Sequence, residues 1–219
     1  MFEHPTGKVP ETVSLVALGP TKNDFIKDQS RHTPKFQSHE IWTLNTGIRW
    51  LKHDLAFIMD DMSEFAHHFP VYGDEMRKAD KPIITSRVYD EFPSAVEYPL
   101  QEIINEYKQV YFNNSVPYII AYAMYIGVRE MKLFGSDYTF PGTEARESGR
   151  GCVEFWIGYA AARGMQVSVV ETSTLMDACE DGRFYGYVHQ PLVKFSVADN
   201  IKEMKPGSGT RFESVAQRR

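Results

Sequence analysis

The apolar residues of this 219-residue chain fall into short β-rich runs and longer helical ones, and the two kinds alternate along its length. That alternation limits the fold more than any other feature. Strands separated by helices return parallel to one another, and a parallel sheet has to be covered on both faces. Residues 12–18, 40–45, 55–59 and 82–85 read as strands, each closed by Gly, Asn, Asp or Ser. The run SVPYIIAYAMYI from Ser115 to Ile126 predicts a buried helix, with Ser115 as N-cap, Pro117 in the first turn and Gly127 at its C-terminal end. Its tyrosines Tyr118, Tyr122 and Tyr125 share one packed face. Glu130–Phe134 then predicts a strand, residues 151–163 a helix stopped by Gly164, and Gln166–Val170 the next strand. The expected fold is α/β: a Rossmann-like, mostly parallel sheet with helices on both faces.

Residues 1–190 read as a single domain of this kind. Two stretches fall outside the succession. Residues 62–81 are polar and give no clear element, and residues 141–150 (PGTEARESGR) read as a charged loop suited to a mobile lid. Residues 191–219 form a C-terminal extension ending in a flexible basic tail.

Composition narrows the function classes. A hydrophobic fraction of 42% and an aromatic fraction of 13% belong to a folded protein. The formal net charge of −5 offers no general attraction to phosphate backbones. Nucleic acid as an acceptor is therefore not indicated, although Arg211, Arg218 and Arg219 make the tail locally basic. Cys152 and Cys179 have no CxxC partner and read as reduced thiols of a cytoplasmic protein. No secretory leader is expected, and the longest apolar run, residues 116–128, is broken by Pro117 and Gly127, so no membrane span is expected either. The oligomeric state is left open.

In open α/β sheets ligands bind beyond the carboxyl ends of the strands, so the polar residues just after each strand are the candidates. After the first strand comes Leu18-Gly19-Pro20-Thr21-Lys22-Asn23. Gly19 permits close backbone approach, and Thr21 with the N–H groups entering the next helix could hold a phosphate. The alternative is an ordinary Gly-Pro turn; the loop is neither GxGxxG nor a P-loop. Asn45 offers an amide to a base or ribose, or closes a turn. Asp60 and Asp61 could share a divalent cation on phosphate oxygens, or Asp61 could cap the helix that follows. Ser115 is an N-cap and a possible ligand contact, and Asp137 in Gly135-Ser136-Asp137 is a ribose or metal contact or a turn former. The adjacent His67 and His68 diverge on a helix and make a poor chelate. No serine or cysteine lies in a nucleophile motif.

The ordered segments VSLVALGPTKNDF, IWTLNTG, LAFIMDD, NNSVPYIIAYAMYIGVREMKLFGSDYTF and GCVEFWIGYAAARGMQVSVVETSTL resemble a superfamily spanning three groups. These are the 6-hydroxymethylpterin diphosphokinase-like domains, the related domain of flagellin glycosyltransferases, and the bacterial CMP-sialic-acid sialyltransferases. The resemblance covers residues 12–175 and rests on the order of short motifs. It implies a nucleotide crevice, with Gly19, Pro20 and Thr21 against the phosphates and Asn45, Ser115 and Asp137 as nucleotide contacts. It implies a transferase using a nucleotide or nucleotide-sugar donor, most readily a glycosyltransferase. A diphosphokinase-like enzyme, with Asp60 and Asp61 holding Mg²⁺, and a non-catalytic nucleotide-binding protein are the alternatives. The sialyltransferase-like base, a histidine after the GxDf segment, has no counterpart in residues 141–150. Asp61 or Glu144 is left as the candidate base and Arg150 as a cationic clamp on the phosphate.

Overall fold

The structure is a computed structural model describing residues 2–138, 144–170 and 172–176, and beyond these the strand segments 193–195, 201–205, 209–210 and 212–214. In chain order the elements are β1 (Thr12–Val16), α1 (Lys22–Gln29), β2 (Glu40–Leu44), β3 (Leu55–Ile58), α2 (Met62–His68), α3 (Pro70–Lys78), β4 (Ile83–Thr85), β5 (Ala95–Glu97), α4 (Leu100–Tyr107), α5 (Ser115–Ile126), β6 (Glu130–Phe134), α6 (Glu144–Ala162) and β7 (Gln166–Val170). Four short strands follow: β8 (Val193–Phe195), β9 (Ile201–Lys205), β10 (Gly209–Thr210) and β11 (Phe212–Ser214).

The main sheet runs β10-β9-β7-β6-β1-β2-β3-β4-β5. All neighbouring pairs from β7 to β5 are parallel, as the alternation of runs requires, and β9 joins β7 antiparallel. The C-terminal extension thus contributes to the domain's own sheet. Within the stretch expected as a tail, residues 209–210 pair with β9 and residues 212–214 pair with β8.

Side chains alternate across a strand, and the sheet's two faces are read off accordingly. Val13, Leu15, Trp42, Leu55, Phe57, Met131, Leu133, Val167 and Val169 share one buried cluster with residues of α4, α5 and α6. The intervening positions face the other way: Val16 and Phe134 meet Phe25 of α1, and Ala56, Ile58 and Ile83 meet Met62, Ala66 and Met76 of α2 and α3. Helices therefore cover both faces. Helix α5 is apolar nearly all round, and residues 119–123 are wholly buried, which suits it to lie between the sheet and α4 and α6. Each fully buried large side chain here contributes roughly 1.5–3 kcal/mol.

Three local expectations change. The N-cap of α5 is Asn114, not Ser115: Asn114 is extended, with φ −162°, and its Oδ1 accepts from Val116 N at 3.1 Å. Asparagine caps as well as serine. Of residues 141–150, expected as a loop, 144–150 are the first two turns of α6, and 141–143 lie outside the described residues. Residues 62–81 hold two helices, α2 and α3, the second entered through Pro70.

Candidate functional site

The chain passes from β1 through β2 and β3 to the β5 edge, then returns by α4 and α5 to lay β6 on the opposite side of β1. Between β1 and β6 the strand order reverses: the chain leaves β1 for α1 on one face of the sheet and β6 for α6 on the other. There a crevice of about 440 Å³ opens, lined by Ala17, Leu18 and Gly19 after β1, Leu44 and Asn45 after β2, Asn114, Ser115 and Val116 at the start of α5, and residues 135–138 after β6.

Four predicted residues, Gly19, Asn45, Ser115 and Asp137, meet in this one lining. Asn45 sits at φ 46°, left-handed backbone that asparagine tolerates better than most residues. Its Nδ2 donates to Asp60 Oδ2 at 3.3 Å. Asn45 Oδ1 and Ser136 Oγ, both buried, have no hydrogen-bond partner among the described residues. Groups of that kind usually find a partner in a protein, so the crevice walls carry two polar atoms the chain itself leaves unsatisfied.

Thr21 does something other than hold phosphate. Its hydroxyl donates to Asp137 Oδ2 at 2.8 Å and accepts from Gly135 N at 2.8 Å, and its own N–H donates to Asp137 Oδ2 at 2.7 Å. The other N–H groups of the turn are also spent: Gly19 N on Gly135 O, Lys22 N on Gly19 O, and Asn23 N on Pro20 O. The first turn of α1 therefore has no ring of free donors for an anion, and Thr21 and the backbone after Pro20, expected against phosphate, are hydrogen-bonded within the chain. Gly19 is required for packing: a Cβ there would lie 2.6 Å from Gly135 O and 2.8 Å from Asp137 Oδ2.

The acidic pair after β3 resolves in favour of capping. Asp61 Oδ1 accepts from Ser63 N and Glu64 N at the start of α2, and its Oδ2 accepts a short hydrogen bond from Tyr89 Oη, 2.5 Å. The Tyr89 hydroxyl and these N–H groups hold the Asp61 carboxyl below its ordinary value. Asp60 is bonded to Asn45. Among the described residues, no cluster of three or more His, Cys, Asp or Glu is gathered as a metal site needs. Neither Asp60 nor Asp61 lines the crevice.

Arg150 lies in the second turn of α6, where its Nε donates to Glu154 Oε1 at 2.9 Å in an i, i+4 ion pair, and it is not among the residues lining the crevice. Glu144 is the first residue of α6, and its side chain is outside the described residues. Cys152 is buried between Tyr111 O, to which its thiol donates at 3.2 Å, and Asn113 N at 3.4 Å; burial pushes its thiol up, away from nucleophilic use. Cys179 lies outside the described residues.

Two lining residues escaped the sequence reading. Asn114 Oδ1 accepts from Val116 N and from Tyr138 Oη at 3.1 Å, while its Nδ2 donates to Gly149 O at 3.1 Å. One side chain thus joins α5, the loop after β6 and α6. The polar pair Asn113-Asn114 before an apolar run was the available signal. No sequence signal marks Tyr138.

No family model and no curated protein matches this chain by sequence. Among solved structures, the monofunctional alpha-2,3-sialyltransferase Cst-I from Campylobacter jejuni aligns with a TM-score of 0.48 at 15% identity, covering 80% of each chain. The Campylobacter jejuni sialyltransferase CstII in complex with the substrate analogue cytidine-5'-monophosphate aligns with a TM-score of 0.45 at 17% identity, covering 83% of this chain and 86% of that one. Likeness at this level is one of chain path.

Proposed function

We propose that this chain is a transferase drawing on a nucleotide-activated donor, with glycosyl transfer the reaction its crevice suits best. The observation carrying the proposal is the crevice's position: it lies at the strand ends where the order reverses between β1 and β6, walled by the ends of β1, β2 and β6 and the start of α5. A doubly wound sheet binds nucleotides at that point. Its size is that of a small-molecule site, and two of its lining residues, Asn45 and Ser136, each carry a buried oxygen without a partner among the described residues. Asn45, Ser115 and Ser136 take the base and ribose. Asp137, braced by Thr21, fixes the loop that carries Ser136.

In transfer, the acceptor oxygen bonds to the anomeric carbon as the bond from that carbon to phosphate oxygen breaks, its electron pair leaving with the phosphate. The acceptor's proton passes to a base, for which Glu144 is retained because both oxygens of Asp61 are occupied. The same commitment of Asp61 counts against the diphosphokinase alternative, which asks Asp60 and Asp61 to share Mg²⁺. No helix among the described residues is long and apolar enough to cross a membrane. We place the enzyme in the cytoplasm on the reading of its thiols alone.

The test is a thermal-shift and calorimetric screen against CMP, UDP, GDP, ADP, ATP and their sugar conjugates, with and without Mg²⁺, repeated on Asn45→Ala and Ser136→Ala. A ligand at 100 times its Kd stabilises the native state by about 2.7 kcal/mol. One nucleotide class that stabilises the wild type and loses its effect in both variants supports the reading. The absence of stabilisation by every nucleotide overturns it.

A further inference from the structure

The proposed donor brings a phosphate, and three of the groups expected to meet it are engaged elsewhere: Thr21 with Asp137, Arg150 with Glu154, and the N–H groups of the first turn of α1 with the turn's own carbonyls. Arg87, after β4, is stacked over Tyr89 at 5.1 Å and lies three strands from β1, about 14 Å away at ordinary strand spacing. Lys22 is differently placed. It is the first residue of α1, yet its ammonium reaches back to Leu18 O at 3.1 Å and Gly19 O at 3.5 Å, carbonyls of two residues that line the crevice. Among the described residues it has no carboxylate partner. A cation at a helix N-terminus has the wrong sign for the helix dipole, so this lysine does not serve the stability of α1.

We propose that Lys22 is the cation that receives the donor's phosphate: its ammonium leaves the two neutral carbonyls for the phosphate oxygens and holds the charge that stays on them when the bond to the transferred group breaks. This rests on the nucleotide reading of the crevice. A lysine suits the task because a flexible stem carries a point charge that can follow the phosphate. Neutral carbonyls are easily exchanged for an anion, since a hydrogen bond between two charged partners is the stronger one.

The experiment compares the affinity of each nucleoside monophosphate with that of its parent nucleoside, by calorimetry, for the wild type, Lys22→Met and Lys22→Arg. The expected result is that Lys22→Met weakens nucleotide binding by roughly tenfold or more while nucleoside binding changes less than about twofold, that Lys22→Arg restores most of the loss, and that the unliganded melting temperature of Lys22→Met is no lower than that of the wild type. A wild type that prefers nucleotide to nucleoside with the preference intact in Lys22→Met overturns the role of Lys22 and leaves the nucleotide site standing. A wild type that binds neither overturns the nucleotide reading and this inference with it.

Discussion

The hydroxyl of Thr21 donates to the carboxylate of Asp137 at 2.8 Å across 116 residues of chain, joining the loop that leaves β1 to the loop that leaves β6. Both residues are buried, and the same hydroxyl accepts from Gly135 N. Two loops beside the crevice are thus tied together through one carboxylate, which accepts from both the hydroxyl and the N–H of Thr21.

Thr21→Val keeps the shape of the side chain and removes the hydroxyl, leaving Asp137 with the Thr21 N–H and Gly135 N without its acceptor. A buried group deprived of its partner costs about 1–3 kcal/mol, so chemical denaturation of Thr21→Val should show a loss in that range. Thr21→Ser, which keeps the hydroxyl, should lose under about 1 kcal/mol. A Thr21→Val protein as stable as the wild type, with the loss confined to Thr21→Ser, would show that the methyl group and not the hydrogen bonds matters.

Two left-handed glycines separate backbone conformation from close packing. Gly127, φ 94°, ends α5 with open space where a Cβ would go, so Gly127→Ala should cost only the left-handed penalty, roughly 1–2 kcal/mol. Gly135, φ 68°, would place a Cβ 2.5 Å from Ala17 O, and both residues line the crevice. Gly135→Ala should therefore lose clearly more stability than Gly127→Ala in the same denaturation experiment, and nucleotide binding should fall with it. A Gly135→Ala protein as stable as Gly127→Ala would mean that the β1 and β6 loops part readily.

Asn114 couples three walls of the site, and substitutions divide its roles. Asn114→Ser retains a good N-cap, whereas Asn114→Ala loses it at a cost of about 1 kcal/mol. Both lose the bonds to Tyr138 Oη and Gly149 O. Hydrogen exchange should show residues 144–152 of α6 less protected in Asn114→Ser while the body of α5 is unchanged. In a double-mutant cycle with Tyr138→Phe, the two stability losses should add to more than the loss of the double variant, because they remove one hydrogen bond between them. Strict additivity would mean that the bond between Asn114 and Tyr138 contributes nothing.

Much of the sheet was legible because the strands are short, β-rich and closed by turn residues: Glu130–Phe134 and Gln166–Val170 fall where the sequence puts them. Strand β5 and helix α4 were not. Ala95–Glu97 is three partly exposed edge residues with no apolar run to mark it, and only Ile103 and Tyr107 of α4 are fully buried. The residues that converge on the crevice were visible as strand ends, since topology alone carries Gly19, Asn45 and Asp137 to one edge of the sheet. What those side chains bond to was not visible. Thr21 and Asp137 look like two ligand contacts in sequence and are partners in space, and nothing local to either residue encodes that pairing. Asp61 was ambiguous for the opposite reason: both its readings were local, and the N–H groups of α2 together with Tyr89 decided between them.

A buried charge relationship away from the crevice sets an acid limit on stability. His4 and Glu40 are both buried: His4 Nε2 is 3.2 Å from Glu40 Oε2, Trp42 Nε1 donates to the same oxygen at 2.6 Å, and Thr6 donates to Oε1. The other ring nitrogen of His4 meets Tyr122 Oη at 2.8 Å, so His4 fastens the chain ahead of β1 to α5 directly and to β2 through the Glu40 carboxylate. Burial acts to raise the Glu40 carboxyl, but the hydrogen bonds from His4, Thr6 and Trp42 and the charge of His4 together outweigh it and hold the group below its ordinary value. A depressed carboxylate contributes stability that is complete above the unfolded value, about 4.3 for glutamate, and lost as pH falls from there through the lower folded value. Glu40→Gln cannot accept from all three donors, and at neutral pH it should be less stable by on the order of 2 kcal/mol. The difference in unfolding free energy between wild type and Glu40→Gln, followed by urea denaturation from about pH 5 to about pH 3, should shrink as the pH falls. A difference that stays constant to pH 3, or grows as the pH falls, would mean that Glu40 is not held as a carboxylate by its three donors.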